Sequence, residues 1–413
     1  MPEPAPDHAP PTRRILLADA DAFFVAVARL ADPSGAGQAR LLIVGGSPGS
    51  RGVVCSASYE VRAFGVRSGM SIGQALRLCP EATCVPVPRA ACGAKSREIR
   101  AVLDRFSPVV APASIDEFYL DLTGTERLYE GAPLATIAAR IRDAVARETG
   151  IAVSIGGGTS RLIAKMAAAA AKPAPGSAAT GVSVVDEGGE AAFMTRFQLG
   201  DIPGIGPRAQ ERLRQQGLVR VTDALAADRA ALERWLGASA AAWLQDRIRG
   251  VDDSPVIPRL EAKSLSREDT FAVDLHDDAE LQRELLRLVV RVAADLRRDG
   301  LRARTVTVKL RDADFTTRQA SRTVPGGVES DGPIYTLARE LLSKLRQARR
   351  TPARLLGVSL SSLRPADGGQ LPLFPGAEPA LETERDRTVA RTVDSVRARF
   401  GDGAILPASL KRR

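Results

Sequence analysis

Two pairs of acidic residues, both set in apolar runs, limit what this chain can fold into. Asp19 closes the run ILLAD, which is typical of a buried strand with an acid at its C-terminal end, and Asp21 follows two residues later. Asp116 and Glu117 adjoin each other inside a second strand-like run. Burying such charges costs several kcal/mol unless a cation or hydrogen-bond donors compensate them. The fold must therefore bring compensating groups to both runs.

Carboxylates gathered from adjacent strands would repel one another when ionised. A pair of divalent ions about 3.5–4 Å apart removes that repulsion and is the arrangement for in-line phosphoryl or nucleotidyl transfer. The alternative is a cluster of ion pairs with nearby arginines, and spacing alone does not separate the two. The four cysteines form no Cys-x-x-Cys pair, and His8 and His276 lie far from them. Any metal is therefore expected to be a hard ion such as Mg²⁺, held by carboxylates.

Composition narrows the class of partner. The 413 residues carry 58 Lys and Arg against 49 Asp and Glu, a net charge of +9, which favours a polyanion such as nucleic acid or a membrane surface. The apolar runs are far shorter than the roughly 18 residues of a membrane span. The first twelve residues are rich in proline and lack the layout of a signal peptide. We therefore expect a disordered leader and a cytoplasmic protein.

The order of predicted elements indicates several domains. Strands alternate with helices to about residue 178, as in an α/β or α+β domain, and a helical stretch follows from about 186 to 248. A linker composition over 250–258 precedes a second mixed unit. In that unit, residues 302–311 alternate between apolar and polar or basic side chains, which predicts a half-buried strand. Apolar residues near the C-terminus, spaced as in a helix, predict a terminal helix ending near Phe400.

Three further residues have the chemistry to hold a triphosphate. Arg62 and Lys172 are phosphate-binding side chains, the first as a bidentate clamp and the second as a point charge, and Tyr59 precedes Arg62 by one helical turn. Each residue alone could equally belong to a solvated surface. The acid pairs, the basic strand and a Gly-x-Gly turn at 204–206 need a joint explanation.

That explanation is a resemblance to the Y-family DNA polymerases, and within them to the DNA polymerase IV group. The resemblance runs from about Arg14 to Phe374, through several motifs in the same order. The motifs are DADAFF at 19–24 and SIDEFYLD at 114–121 for the palm, YEVRAFGVRSGM at 59–70 for the fingers, the segment 163–173 that closes the palm, DIPGIG at 201–206 for the thumb, and ARTVTVK at 303–309 for the little finger.

The resemblance implies an α+β multidomain fold, a right-hand polymerase with a palm, small fingers, a helical thumb containing a helix-hairpin-helix, and a little finger. The implied boundaries are a disordered leader at 1–12, a palm at 13–21 and 89–178, fingers at 22–88, a thumb at 179–248, a linker at 249–259, a little finger at 260–364 and a flexible tail at 365–413. It also implies the activity of a DNA-directed DNA polymerase that adds dNTP to a primer on template DNA.

The resemblance assigns the catalytic metal ligands and the nucleotide contacts by position. Two Mg²⁺ ions would be held by Asp19, Asp116, Glu117 and the carbonyl of Ala20. The incoming triphosphate would be gripped by Tyr59, Arg62 and Lys172. Phe24 would be the steric gate, an apolar ring where a ribose 2′-hydroxyl would otherwise fit. The small fingers imply loose selection of the nascent pair, with low fidelity, translesion synthesis and no proofreading.

The remaining contacts implied by the resemblance are with DNA and with the replication machinery. In the thumb, Gly204 and Gly206 would present backbone N–H groups to a phosphate. The little finger would contact the DNA backbone without reading sequence through Ser266, Arg267, Thr305, Thr307, Lys309, Arg311, Ser321 and Arg322. A pentapeptide in the tail resembles the motif by which bacterial polymerases bind the sliding clamp, with contacts from Gln370, Leu371, Leu373 and Phe374. A monomer is expected.

Two other readings remain open from sequence. One is a non-catalytic adaptor that keeps the fold and the clamp contact but has lost the acids, against which the intact Asp19, Asp116 and Glu117 argue. The other is a nucleotidyl cyclase, which also uses paired carboxylates on a palm-like sheet. A cyclase would need neither the Gly-x-Gly turn at 204–206 nor the basic strand at 302–311.

Overall fold

The computed structural model describes residues 12–173, 180–258, 261–366 and 381–410. The chain divides into two compact units, Met1–Leu260 and Glu261–Arg413. Within the described ranges, no helix combines the length and the apolar character that a bilayer crossing requires. Almost all of the predicted leader, residues 1–11, lies outside the described residues.

The first unit contains eight strands and eleven helices among its described residues. The strands are β1 Ile15–Ala20, β2 Leu42–Gly45, β3 Val54–Ala57, β4 Thr83–Val85, β5 Val109–Pro112, β6 Glu117–Asp121, β7 Val153–Gly158 and β8 Val182–Val184. The helices are α1 Phe23–Ala31, α2 Tyr59–Arg62, α3 Ile72–Leu78, α4 Arg89–Leu103, α5 Leu134–Thr149, α6 Arg161–Ala171, α7 Glu190–Met194, α8 Pro207–Gln215, α9 Val221–Ala226, α10 Arg229–Leu236 and α11 Ala238–Ile248.

The main sheet of this unit has the strand order β5-β6-β1-β7-β8. The central strand β1 is buried along its whole length and pairs antiparallel with both β6 and β7. Helices α4 and α5 pack on one face of the sheet, and α6 packs on the other. On that second face, a Cβ at Gly156 would lie 2.0 Å from the Ala168 nitrogen, so only glycine lets α6 approach β7 this closely.

A small three-stranded sheet, β3-β2-β4, packs with α2 and α3 around its own apolar core, in the part of the chain where the fingers are predicted. Helix α1 contacts two cores at once. Phe23 and Val27 pack with the main sheet, whereas Val25 and Ala28 pack with residues of β2. The start of α1 is thus held between the palm and the fingers.

Helices α7 to α11 form the predicted thumb around a core that also takes in Leu162, Ile163 and Met166 of α6. The predicted thumb boundary at residue 179 is wrong. Strand β8 lies beyond that boundary but pairs in parallel with β7, which makes it an edge strand of the main sheet. The run of β-branched residues in GVSVV is too short to show a helix-to-strand change by periodicity.

The second unit is a four-stranded antiparallel sheet covered by helices. Its elements are β9 Ser264–Leu275, α12 Asp278–Arg298, β10 Leu301–Asp312, β11 Thr317–Val328, α13 Asp331–Ala348, β12 Ala353–Pro365 and α14 Glu384–Phe400. The strand order is β11-β10-β12-β9. Helices α12 and α13 pack on one face, where Val306, Val308 and Leu310 of β10 are fully buried. The predicted alternation of β10 is confirmed.

The expected flexible tail at 365–413 is wrong for residues 381–410, which fold onto the second unit. The guanidinium of Arg297 on α12 donates to both carboxylate oxygens of Asp394 on α14, at 2.6 and 2.9 Å. The buried carboxylate of Glu382 accepts from the backbone N–H groups of Glu329 and Ser330. The apolar residues that predict the terminal helix give no indication of these charged contacts. The residues predicted to bind the sliding clamp, Gln370, Leu371, Leu373 and Phe374, lie outside the described residues.

Candidate active site and nucleic-acid surfaces

A row of polar side chains crosses three strands of the main sheet. Asp19 at the end of β1 is the register partner of Glu117 on β6 and of Ser154 on β7. The N–H of Ala20 donates to the carbonyl of Asp116 at 3.0 Å, which joins the chain of Asp116 to the same corner. Because antiparallel register partners share a face, the row lies on the face that α6 covers. The two acid pairs of the sequence are therefore brought together.

Two lysines compensate these acids. The ammonium of Lys172, just after α6, lies 2.8 Å from the Asp19 carboxylate. The ammonium of Lys165 donates to both oxygens of Glu117 at 2.8 Å. Burial raises the pKa of Asp19 to about 6 against the lowering effect of Lys172, and the charges of Glu117 and Asp116 raise it further. Burial therefore outweighs the stabilisation that Lys172 gives to the ionised Asp19 carboxylate.

The donor set of this corner fits a hard divalent ion. Asp19, Asp116 and Glu117 supply carboxylate oxygens, the ligands that Mg²⁺ and similar ions take in proteins. In this conformation the lysines bind Asp19 and Glu117, and the side chain of Ser114 donates to Asp116. Within the described ranges, no three Asp, Glu, His or Cys side chains are grouped closely enough to enclose an ion. The predicted ligands are adjacent but are held by other partners here.

The residues predicted to contact the triphosphate lie beside Asp19, Asp116 and Glu117, which we call the acid row. The guanidinium of Arg62 lies over the Tyr59 ring, 4.8 Å from its centroid, and its Nε donates to the Ala57 carbonyl at 2.9 Å. Within the described ranges, the buried Tyr59 hydroxyl has no partner in good hydrogen-bonding geometry, although the Asp21 carboxylate acts on it. Burial, followed by the charge of Asp21, raises the Tyr59 pKa to about 12. A neutral hydroxyl, a guanidinium and the Lys172 ammonium thus stand together as donors for an anion.

The predicted steric gate, Phe24, lies at the second position of α1 and is half-buried. Its ring packs edge-to-face on Phe23, with centroids 5.6 Å apart and an interplanar angle of 66°. Phe23 itself is 2 % exposed in the palm core. One member of the Phe-Phe pair is therefore a core residue, and the other keeps part of its surface open.

Sequence reasoning missed the roles of Ser154 and Lys165 and left Asp21 without a role. The Ser154 hydroxyl is fully buried and donates to the Asp21 carboxylate at 2.9 and 3.1 Å. The register of β1 against β7 brings them together, and register is set by pairing over the whole sheet. Lys165 within an alanine-rich helix and Lys172 just after it are seven residues apart, and this spacing was the available signal for the counter-charges.

The open face of the second unit's sheet carries hydroxyl groups in rows across all four strands. One row joins Ser266, Ser359, Thr307 and Ser321, and the next joins Ser264, Ser361, Thr305 and Thr323. Hydroxyls of neighbouring strands bond to each other at 2.9 Å within both rows. Lys309 and Arg311 follow on the same face, where Lys309 pairs with Glu268 at 2.8 Å and Arg311 donates to Thr317. The predicted Ser266, Thr305, Thr307, Lys309, Arg311 and Ser321 therefore share one surface.

The prediction that Arg267 and Arg322 belong to this face is wrong. Successive residues of a strand point to opposite faces, so each arginine lies opposite the serine beside it. Arg267 pairs in register with buried Val358 and donates to Asp295 of α12 at 2.7 Å. Arg322 reaches Glu340 of α13 at 2.5 Å. Both arginines bind the helix layer instead of the open face.

The Gly-x-Gly turn of the thumb joins a 3₁₀ helix, Leu199–Asp201, to α8. Gly204 has φ +101°, and a Cβ there would lie 2.8 Å from the Trp243 ring. Gly206 has an ordinary φ and open space beside it. Only Gly204 is thus required to be glycine by the turn, and the first helix of the predicted hairpin is shorter than an α-helix.

Comparison with known proteins assigns the family. A sequence profile of the impB/mucB/samB family matches residues 18–169, and the profile of its C-terminal domain matches residues 262–373. A DNA polymerase IV from Halorhodospira halophila is 39% identical over 353 residues, which cover 86% of this chain and 96% of that protein. This chain belongs to the DNA polymerase IV group of the Y-family DNA polymerases.

Solved structures agree with the assignment. The Y-family DNA polymerase chimera Dbh-Dpo4(243-245)-Dbh matches with a TM-score of 0.74 and 25% identity, over 84% of this chain and 98% of the chimera. An insertion ternary complex of Dbh DNA polymerase matches with a TM-score of 0.58 and 25% identity over the same shares. The α+β right-hand fold predicted from sequence is confirmed, and the protein is a DNA-directed DNA polymerase.

Proposed function

We propose that this polymerase extends primers across damaged template bases by nucleotidyl transfer assisted by two Mg²⁺ ions, with low fidelity and without proofreading. The observation that carries the proposal is the cross-strand pairing of Asp19 with Glu117, with Asp116 bonded through its backbone to Ala20. The ternary complex of a related polymerase supports primer–template DNA and dNTP as the substrates.

Asp19, Asp116, Glu117 and the carbonyl of Ala20 would hold the metal ions. Bound there, such ions would make the primer 3′-hydroxyl a better nucleophile and would neutralise the triphosphate. The hydroxyl oxygen bonds to the α-phosphorus as the bond to the bridging oxygen breaks, the hydroxyl proton passes to solvent water, and pyrophosphate leaves.

The chain's own donors bind and orient the triphosphate. Arg62 and Lys172 contribute positive charge, and the buried Tyr59 hydroxyl contributes a neutral donor whose free partner site an anion oxygen would fill. When Lys172 turns from Asp19 to a phosphate, the Asp19 carboxylate loses its present partner and becomes free to bind a cation. Phe24 would exclude ribonucleotides by contact with the sugar.

The small size of the fingers supports the low-fidelity proposal. The fingers sheet has three short strands, and its core is formed by a few residues around Ile43 and Ile72. So small a body offers little surface with which to enclose the nascent base pair. Selection between correct and incorrect bases by shape is then weak, and a distorted template base is tolerated.

Primer extension tests the proposal directly. Extension of a labelled primer with dNTP and Mg²⁺ should fall by at least about a hundredfold in the double variant Asp116→Ala, Glu117→Ala, because removing transition-state charge stabilisation has effects of this size. The matched control is Asp186→Ala, Glu187→Ala, which changes an exposed adjacent Asp-Glu pair of the same unit. DNA binding without extension by the unmodified protein would overturn the catalytic proposal in favour of an adaptor.

We also propose that Gln370, Leu371, Leu373 and Phe374 bind the sliding clamp, on the strength of the motif alone. Two apolar anchors account for most of the affinity of a short docking peptide. The variant Leu373→Ala, Phe374→Ala should therefore lose the stimulation of primer extension by the clamp and keep its clamp-free activity. Unchanged stimulation would contradict the assignment.

A further inference from the structure

The start of α1, which carries the gate residue Phe24, lies in a short connection held from one side. Only Asp21 and Ala22 join β1 to α1. Ala22 has φ 45° and ψ 44°, a left-handed conformation that a residue with a Cβ keeps only where its surroundings hold it. The N-cap of α1 makes no side-chain hydrogen bond to the helix. The turn must therefore be fixed by contacts from outside the helix.

Strand β7 and the residue just before it, Ala152, supply these contacts to the side chain and the backbone of Asp21. The Asp21 N–H donates to the Ala152 carbonyl at 2.9 Å. The Ser154 hydroxyl donates to the Asp21 carboxylate, 2.9 Å from one oxygen and 3.1 Å from the other. Ser154 is 0 % exposed, so its hydroxyl is shielded from bulk solvent. We call these two residues the Asp21–Ser154 pair.

The pair fixes one side of the helix start while the core fixes the other. Phe23 is anchored in the palm core, and Phe24 packs against it edge-to-face. A helix start held at two points, the Asp21 carboxylate and the Phe23 ring, cannot rotate about its axis. Rotation is the movement that would shift the Phe24 ring toward or away from a bound sugar.

We propose that the Asp21–Ser154 pair positions the Phe24 gate and thereby sets the discrimination between deoxyribonucleotides and ribonucleotides. The inference rests on the proposed role of Phe24 and adds to it the residues that hold the gate in place. Asp21 and Ser154 are positioning residues, since they act through the turn and not by contact with the sugar.

Charge and positioning can be separated in this pair. The Asp21 carboxylate interacts electrostatically with Tyr59, Arg62, Lys172 and Arg142. Removing the carboxylate would therefore also disturb the residues that contact the triphosphate. Ser154→Ala removes the hydrogen bond and leaves the charge. Asp21→Asn removes the charge and leaves an amide oxygen that accepts from Ser154. Ser154→Thr keeps the hydroxyl and serves as the conservative rescue.

The experiment compares dNTP and rNTP incorporation on one primer–template by kcat/KM. Ser154→Ala should lower the preference for dNTP by about tenfold, because a misplacement of about 1 Å can cost about a hundredfold and the lost hydrogen bond should shift the gate by less. Its kcat for dNTP should change by less than about threefold. Asp21→Asn and Ser154→Thr should keep the preference within about twofold of the unmodified protein. The control Ser56→Ala removes a buried strand serine of the fingers sheet and should change nothing.

A double-variant cycle with Phe24→Ala decides whether the pair acts through the gate. If it does, Ser154→Ala has no further effect on the preference once Phe24 is removed, since the two changes are not additive. Additive effects would overturn the positioning inference alone. The same holds if Ser154→Ala keeps the preference for dNTP while Phe24→Ala weakens it. An unchanged preference in Phe24→Ala would overturn the proposed gate, and the positioning inference with it.

Discussion

The large sheets of the two units both present polar side chains on one face. They differ in whether those side chains are mainly charged or mainly neutral. The palm sheet gathers carboxylates at one corner, where Asp19 is 9 % exposed and bound to Lys172 while Asp116 and Glu117 are half-buried. The little-finger sheet presents rows of neutral hydroxyls, half-buried or exposed, bonded to one another. This contrast is what the proposed function predicts: charge concentrated where bonds are made and broken, and neutral donors where DNA is held without reading its sequence.

The largest expected effect is on the free energy of unfolding, because burying the charged Asp19 carboxylate in the palm destabilises the folded protein. The pKa of Asp19 rises from 3.8 to about 6 on folding, so the folded metal-free protein binds more protons in this range. Stability contributed by protonated Asp19 is present below about pH 4 and is lost as pH rises through about 6. Asp19→Asn should therefore raise the unfolding free energy of the metal-free protein at neutral pH by about 2–3 kcal/mol.

Urea unfolding with a chelator present, at about pH 5 and about pH 7.5, measures this effect. The difference between the variant and the unmodified protein should be larger at the higher pH. Thr307→Val on the little-finger sheet is the contrasting control and should show no such pH dependence. A lower stability of Asp19→Asn at neutral pH would contradict the account, since it would mean that the Lys172 pair outweighs burial.

A smaller effect is expected from the counter-charge. Lys172→Met should raise the KM for dNTP by about tenfold or more, because a charged hydrogen-bond donor to a phosphate is worth about 1.5–3 kcal/mol. The affinity for primer–template DNA should stay unchanged. Lys95→Met, which removes a lysine paired with Glu98 on the surface of α4, is the matched control. A lower kcat with an unchanged KM would instead place Lys172 in the transition state alone.

The smallest effect is expected on the little-finger sheet. The double variant Thr305→Val, Thr307→Val should weaken DNA binding by about fivefold, and by the same factor for unrelated sequences, since each lost hydrogen bond is worth about 1 kcal/mol or less. The salt dependence should not change, because no charge is removed. Arg322→Gln, on the helix side of the same sheet, should leave DNA affinity within about twofold. A stronger effect of Arg322→Gln would contradict the assignment of faces.

Sequence predicted most of the elements because their signals are local. The alternation of β10 and the apolar stripe of α12 follow from short-range periodicity, and the structure matches them. The acid motifs at Asp19 and Asp116 were recognisable for the same reason. Contacts that depend on the long-range register between strands were not recognisable from sequence. The pairing of Ser154 with Asp21 depends on how β7 aligns with β1, which no local pattern states.

Two errors have different physical sources. Arg267 and Arg322 were grouped with neighbouring serines because they are adjacent in sequence, although a strand turns adjacent side chains to opposite faces. Residues 381–410 were assigned to a flexible tail because Pro, Gly and Glu are frequent over 364–384. The terminal helix predicted within that tail is confirmed by α14. Glu382, Arg297 and Asp394 hold the segment by buried or half-buried charged contacts. Charge pairing over long distances leaves no periodic signal in the sequence.

The central claim, that the acid row of the palm sheet catalyses DNA synthesis, is tested most directly by single-turnover primer extension with Asp19→Asn at saturating DNA, dNTP and Mg²⁺. The account predicts a rate lower by at least about a hundredfold with an unchanged Kd for DNA, while the surface control Asp186→Asn keeps the full rate. A rate for Asp19→Asn within about threefold of the unmodified protein would show that this carboxylate is not part of the catalytic centre.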